Sequence, residues 1–532
     1  MPPLNPYDLF IFFSLVLFFS SFIYSLLHKF THPKSLLKPS LFSTKAFSNT
    51  SHGPPSYPFI GCLISFYKNR KRLLDWYTDL LSESPTQTII VSRLGARKVI
   101  VTANPDNVEY ILKTNFHNFP KGKPLAEILG DLLGKGIFNV DGELWATQRK
   151  LASHEFTTKT LREFVVKTLE EEVESRLIPL LQLAAQQNKI IDLQEVLKRF
   201  TYDTICKVSL GIDPNCLDLS IPIPPLIAAF ENAAAISAKR ATSPIYAIWK
   251  LKRALNIGSE HQLKQSINIL HGLVKTIIST KQNSIANSNE TENQDLLSRF
   301  LSAGYDGELA RDMVISFIMA GRDTTAAAMT WLFWLLLSGL ADPATRDNIM
   351  SELASGSDPD SGSDSLSYEL VKNMKYMHAC LCEAMRLYPP VAWDSKHALK
   401  DDILPDGTKL KKGDRVTYFP YGMGRMEVIW GEDRLKFNPD RWFESQVDKQ
   451  SNNYNTRKLK MVNPYEYPIF QAGPRVCLGK EMAFLQMKYV MASIMNRFDF
   501  ELLSNEPPVF VPLLTAHMGG GLRVRVKEII NS

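Results

Sequence analysis

One stretch of the 532-residue sequence constrains the architecture more than any other. From residue 307 to residue 338 the chain stays mostly apolar, and beyond Met313 the apolar side chains fall on nearly every side of a helix. At ~1.5 Å per residue such a helix is about 48 Å long. A helix that is apolar all round belongs at the centre of a large protein or in a bilayer. Asp306 suits its start, and Gly339 and Pro343 suit its end. Within it lies Ala320-Gly321-Arg322-Asp323-Thr324-Thr325. Glycine weakens a helix, and a threonine hydroxyl that bonds back to the preceding turn bends it. The run therefore reads as a central buried helix, kinked near Gly321, with hydroxyls facing a pocket. A membrane span is the competing reading of the same residues.

Composition fits a packed globular body, with 45% apolar and 22% charged residues and no internal repeat. The net charge of +6 is too mild for a nucleic-acid partner and suits an anionic membrane surface or an acidic protein. The six cysteines (Cys62, Cys206, Cys216, Cys380, Cys382 and Cys477) lack a disulfide pattern and indicate a reducing compartment.

Residues 9–27 carry no charge and are dense in Leu, Phe and Ile. As a helix they span about 28 Å, close to the ~30 Å hydrocarbon core of a bilayer. Asp8 precedes them, and Lys29, Lys34, Lys38 and Lys45 follow, which keeps the following body cytosolic. The expected organisation is a lumenal N-terminus at 1–8, a single transmembrane anchor at 9–27, a linker at 28–52 and one cytosolic domain at 53–532. Gly53-Pro54-Pro55-Ser56-Tyr57-Pro58 reads as a stiff extended hinge. Residues 88–102 have strand composition, and helical patterns dominate from about Glu143 into the 380s. The polar segments 282–293, 355–367 and 446–457 read as surface loops, and the alternation in 519–526 reads as a half-buried strand. The fold class is mainly α with small β-sheets near both ends.

The chemistry concentrates in Phe470-Gln471-Ala472-Gly473-Pro474-Arg475-Val476-Cys477-Leu478-Gly479, with a helical pattern from Lys480. Its glycines permit a tight loop. Cys477 stands at a helix entrance, where the dipole and free N–H groups favour a thiolate, and Arg475 is a cation two residues away. Glu383 and Arg386 share one helix face, as do Trp145 and Arg149.

The spacing F-x-x-G-x-R-x-C-x-G resembles the haem-binding loop of the cytochrome P450 superfamily, and the resemblance covers nearly the whole chain. It implies that superfamily's fold, a triangular helical haem domain crossed by a long central helix. It implies haem b, with Cys477 as the axial thiolate ligand of the iron. Arg475, Trp145 and Arg149 are then the propionate partners, Phe470 packs on the proximal face, and Gly473 shapes the loop. Where relatives often carry a further propionate-binding arginine after Pro390, this chain has His397 with Lys396 beside it, and His397 takes that role. Asp323 and Thr324 match the distal acid–threonine pair that handles protons during oxygen activation. Glu383 and Arg386, joined by Arg441, match a structural lock outside the catalytic set. By the family layout the substrate meets Phe138, Phe230, Ile318, Ala320, Val391 and Leu514. Lys121 or Lys123 is the candidate cation for a substrate carboxylate.

Three runs narrow the resemblance: 130–142, Trp393-Asp394-Ser395-Lys396-His397-Ala398, and Tyr421-Gly422-Met423-Gly424-Arg425. They are similar to plant fatty-acid ω-hydroxylases and jasmonoyl-isoleucine hydroxylases. The implied reaction is NADPH- and O2-dependent hydroxylation at the terminal or near-terminal carbon of a long apolar substrate, a fatty acid first. The alternatives are terminal (C-26 type) side-chain oxidation of a sterol or steroidal-alkaloid precursor, and 12-hydroxylation of jasmonoyl-isoleucine. A haem-thiolate isomerase or dehydratase is the rival from another class, and the Asp323–Thr324 pair argues against it. The chain has no nucleotide-binding fingerprint, so NADPH and flavins act through a separate NADPH–cytochrome P450 reductase. Cytochrome b5 is a second electron-donor candidate. Arg149, Lys150 and Lys480 are the expected reductase contacts. The implied location is the endoplasmic reticulum membrane, single-pass, with the catalytic domain in the cytosol.

Overall fold

The computed structural model describes residues 52–57, 60–92, 98–220, 222–243, 246–287, 295–305, 307–355, 366–444, 457–504 and 506–529. The anchor at 9–27, nearly all of the linker at 28–52, Asp306 and most of the two later polar loops lie outside them. Thr50–Ser532 form one compact unit. Among the described residues no helix is long and apolar enough to cross a membrane.

The helices that position the site are α1 (Leu63–Asn69), α2 (Leu73–Glu83), α3 (Gly122–Leu133), α4 (Gly142–Thr157), α5 (Leu193–Leu210) and α6 (Pro225–Thr242). They continue with α7 (Ser259–Asn287), α8 (Gly307–Gly321), α9 (Asp323–Leu337), α10 (Lys375–Leu387) and α11 (Lys480–Arg497). The expected mainly helical fold with small sheets is what forms.

The central run is two helices of 15 residues each rather than one of 32. It breaks at Arg322, where ψ swings to −77°. Two local causes meet there. A Cβ on Gly321 would lie 2.6 Å from Cδ1 of Ile205 on α5, so a larger residue would have to push that side chain aside. Thr324 Oγ1 donates to the Ala320 carbonyl across the break, the back-bond read from the sequence. Beyond the break, Trp331, Leu332 and Phe333 of α9 enter the largest apolar core, together with side chains of α5, α10 and α11. Trp331 stacks on Tyr388 at 4.0 Å.

The β-branched runs Thr88–Val91 and Val99–Thr102 form β1 and β2, two strands within the segment read as strand-like. They join Arg415–Tyr418 and Asp394–His397 in a four-stranded sheet. Numbered along the chain, Ile190–Asp192 is β3, Asp394–His397 β4, Asp402–Ile403 β5, Lys409–Leu410 β6 and Arg415–Tyr418 β7. Phe498–Leu502, Val509–Val511, His517–Gly519 and Arg523–Glu528 are β8 to β11. The four-stranded sheet runs β1-β2-β7-β4, with β2 and β7 parallel and the outer pairs antiparallel. Strand β11 carries the terminal alternation, with Val524 and Val526 buried, and pairs with β3 and β8.

Two expectations change. The proline segment is tied to the sheet at its start, because Ile90 N donates to His52 O and Gly53 packs on the Ile90 carbonyl. Residues 282–287 are helical, since α7 runs on to Asn287 with Ser284 Oγ bonded to Thr280 O. A polar exposed face does not by itself end a helix.

Candidate active site

The Cys477 loop is built from strained turns. Gln471 and Gly473 both take positive φ, at +61° and +64°. A Cβ on Gly473 would sit 2.1 Å from the Leu112 carbonyl oxygen, so the position requires glycine. Cys477 N donates to Phe470 O at 2.8 Å and closes the loop just before α11. The Phe470 ring lies 5.2 Å from that of Phe484 on α11. Five of the six cysteines are buried, and Cys477 alone is exposed. Burial pushes its thiol above the ordinary value. The Gly479 N–H, Arg149 and Lys480 act in the opposite direction. The cation nearest in sequence, Arg475, points elsewhere. Its Nη2 donates to Asp141 Oδ1 (2.7 Å) and Val140 O (2.9 Å), and its guanidinium lies 4.5 Å over the Trp145 ring. Trp145 and Arg149 project from α4, and burial lowers the Arg149 pKa.

The four-stranded sheet brings a second group of charges to the same loop. Side chains alternate along a strand, so Asp394, Lys396 and Tyr418 share one face while Ser395, His397 and Arg415 share the other. Asp394 accepts from Lys121 Nζ (3.0 Å), Lys396 Nζ (2.9 Å), Tyr418 Oη (3.0 Å) and Gln471 Nε2 (2.7 Å). Burial alone would raise Asp394, but Lys121, Lys396 and Gln471 hold it well below the usual carboxylate range. Burial, with repulsion from Lys121 and Arg475, brings Lys396 down to about 7 against the attraction of Asp394. Lys396 thus lies on the face that Gln471 of the loop reaches, and His397 on the other. His397 turns its Nδ1 to the Lys121 carbonyl at 2.6 Å. Lys121 is committed to Asp394, and Lys123 is exposed.

At the helix break, Asp323 and Thr324 are half-buried beside Arg322, which is only 3% exposed. Arg322 donates to Glu231 of α6, lies 5.5 Å over the Tyr202 ring of α5, and brings Nε within 3.5 Å of Asp323 Oδ1. Lys198 Nζ reaches the same Glu231 oxygen at 3.2 Å. A small recess, lined by Lys198, Glu231 and Arg322 among others, adjoins this cluster. Sequence reading missed Arg322, Glu231, Asp394 and the orientation of Lys396. An arginine inside an otherwise apolar helix was the available signal for the first, because a buried guanidinium needs a carboxylate from somewhere.

Glu383 and Arg386 are wholly buried on α10 and joined by two hydrogen bonds, with Arg441 Nε 2.9 Å from Glu383 Oε1. On the apolar side, Phe230 and Ile318 are buried in one cluster, and Phe138 and Leu514 are half-buried against it. Ala320 is half-buried at the end of α8, and Val391 is exposed. Gly134 and Gly136 explain the glycine-rich run before Phe138: a Cβ on either would collide with Asp312 or Ser316 of α8.

Among the described residues no group of three or more His, Cys, Asp or Glu side chains could cage a metal. The donor set fits a haem instead. It offers one accessible thiol at a helix start and an aromatic ring beside it. Two arginines and an indole lie near the same loop, as donors for carboxylates.

The family model described as Cytochrome P450 matches residues 51–518. Cytochrome P450 94B1 and cytochrome P450 94B3, both of Arabidopsis thaliana, are each 60% identical over 486 residues, covering 91% of this chain and 93% of the relative. Cytochrome P450 94A1 of Vicia sativa is 43% identical over 478 residues, covering 89% and 90%. A match of that extent, on a fold whose loop, buried glutamate–arginine pair and broken central helix have the family's pattern, identifies the chain as a monooxygenase belonging to the cytochrome P450 family.

Proposed function

We propose that the protein hydroxylates the terminal or near-terminal carbon of a long apolar carboxylic acid, a fatty acid first. The observation that carries this reading is the apolar cluster holding Phe230 and Ile318, closed by Phe138 and Leu514, beside the Asp323–Thr324 break. A primary C–H bond is stronger than its internal neighbours, so selectivity for a chain end has to come from positioning. A narrow apolar wall supplies positioning by admitting only the end of the chain and by excluding water. The similarity of residues 130–142 and 393–398 to plant fatty-acid ω-hydroxylases points the same way.

When bound, a haem ligated by the Cys477 thiolate supplies the activation of dioxygen. Trp145, Arg149, Arg475 and His397 would hold its propionates through charge-assisted bonds, and Phe470 would pack against it. Thr324 Oγ1, anchored on the Ala320 carbonyl, presents a hydroxyl at the break. The Asp323 carboxyl takes protons from solvent and passes them toward that hydroxyl. Electrons come from a separate NADPH–cytochrome P450 reductase, with cytochrome b5 as a second donor. Exposed Lys150 and Lys480 supply the basic docking surface. Residues 9–27 anchor the chain in the endoplasmic reticulum membrane with residues 53–532 in the cytosol.

The test uses membranes containing the full chain and a plant reductase, supplied with NADPH, O2 and a panel of saturated fatty acids, jasmonoyl-isoleucine and cholesterol-type sterols. Products are identified by mass spectrometry. Terminal hydroxylation of a fatty acid, abolished in Cys477→Ala, is expected. Protein with a normal thiolate-type reduced-CO band that oxidises only the sterols overturns the substrate reading. A Cys477→Ala variant that keeps that band overturns the ligand assignment.

A further inference from the structure

The four-stranded sheet has a second functional face. Opposite Asp394 and Lys396, a small recess, partly open to solvent, is floored by Val99 and Val101 of β2 and by Arg415 of β7. Phe66 of α1, Trp393 and Ala241 in the last turn of α6 complete its walls. Of the described residues lining it, Arg415 alone is charged. The arginine is half-buried, and Ser395 Oγ accepts from its Nε at 2.9 Å. Thr417 Oγ1 lies 2.9 Å from the same Ser395 oxygen. This pair of hydroxyls steadies the side chain from the neighbouring strand, so the direction of the guanidinium is set before any ligand arrives.

We propose that this recess is the head-group subsite of the substrate, where Arg415 pairs with the carboxylate of a long apolar acid. The inference rests on the substrate reading above. An arginine fork matches a carboxylate in two-point geometry, and an apolar floor beside it suits the methylenes next to that carboxylate. Position supports the assignment, because Ala241 of α6 lines the recess and also packs against the apolar cluster that holds Phe230 and Ile318. Of the lysines that the sequence offered for this role, Lys121 is held by Asp394, on the opposite face of the sheet from Arg415. A sterol has no carboxylate and gains nothing from Arg415. The subsite thus selects acids, including amino-acid conjugates, over neutral lipids of equal length.

The experiment is equilibrium binding to the purified holoenzyme, read from the substrate-induced shift of the Soret band. The probes are a saturated fatty acid, its methyl ester and the corresponding primary alcohol, with wild type, Arg415→Gln and Arg415→Lys. In Arg415→Gln the Kd for the acid should rise roughly 10- to 100-fold, the range for losing a charge-assisted hydrogen bond. Ester and alcohol should bind as before, and Arg415→Lys should fall between. Val99→Glu provides a second variant: its carboxylate would stand on the register neighbour of Arg415 and weaken the acid selectively. Equal weakening of acid and ester, or no change for either, overturns the subsite. Wild type that binds the alcohol but neither acid nor ester overturns the substrate reading together with the subsite. Acid binding that is normal in all variants overturns the subsite alone.

Discussion

Glu383→Gln should destabilise the protein by about 3–5 kcal/mol, the usual result of removing one partner of a buried ion pair. The figure follows from what the carboxylate does. Glu383 is completely buried, and its two oxygens accept five N–H groups: two from Arg386 and one each from Arg441, Trp442 Nε1 and Asn438 N. Glutamine keeps the shape but turns one oxygen into a donor. Whichever way the amide is oriented, at least two of those donors then face another donor. The charge of Arg386, itself fully buried, loses its only close carboxylate among the described residues. Arg386 also donates to the carbonyls of Gly424, Arg434 and Lys436, so the loss spreads into the segment packed between α10 and the Cys477 loop. Arg441→Gln is the control. Arg441 retains solvent contact and shares its charge with Asp433, so its removal should cost less. Urea unfolding followed by circular dichroism gives the free energies, and the reduced-CO spectrum reports haem retention. A loss below ~1 kcal/mol for Glu383→Gln, the value of an exposed pair, would refute the reasoning.

Two further outcomes follow from the same geometry. Thr324→Ala and Asp323→Asn should each lower product formed per NADPH roughly 10- to 100-fold, the scale of one proton-transfer group, while peroxide release rises. Counting product and peroxide together tests this, and wild-type ratios in both variants would remove the relay role. Burial, together with Lys488 and Lys480, pushes His378 down to about 3, against an ordinary value of about 6.5. Below pH 6.5 the unfolded chain binds this proton and the folded one does not, so stability falls with pH, by about 2 kcal/mol at pH 5. His378→Phe, which keeps a ring against Phe484, should flatten that acid limb in urea midpoints measured between pH 7 and pH 5. An unchanged slope would show that the histidine takes up its proton in the folded state.

Local chemistry was legible in the sequence, and long-range pairing was not. The Cys477 loop, the Glu383–Arg386 pair and the Thr324 back-bond each span a few residues, so spacing alone carries them. The kink near Gly321 was also legible, because glycine and threonine act within one helical turn. The close packing of Ile205 of α5 on Gly321 spans more than a hundred residues, and no periodicity encodes that. Glu231 likewise reaches Arg322 across 91 residues. The polar end of α7 misled because composition was read as a loop signal, while an exposed helix tolerates polar residues on every side that faces water.

The hardest distinction, between Lys396 and His397, depends on strand register. Asp394-Ser395-Lys396-His397 is polar throughout, so no alternation of apolar and polar residues reveals which face is buried. Register decides it. Pairing Asp394 with Tyr418 and Lys396 with Val416 turns those side chains to the Cys477 loop, and turns Ser395, His397 and Arg415 away. A slip of one residue would exchange the two sets. The same pairing that turns Lys396 to Asp394 beside the Cys477 loop therefore gives Arg415 to the recess on the far side. The two roles stand or fall on one register, so shifting it by inserting a residue before Asp394 should impair haem retention and acid binding together, whereas Arg415→Gln should impair acid binding alone.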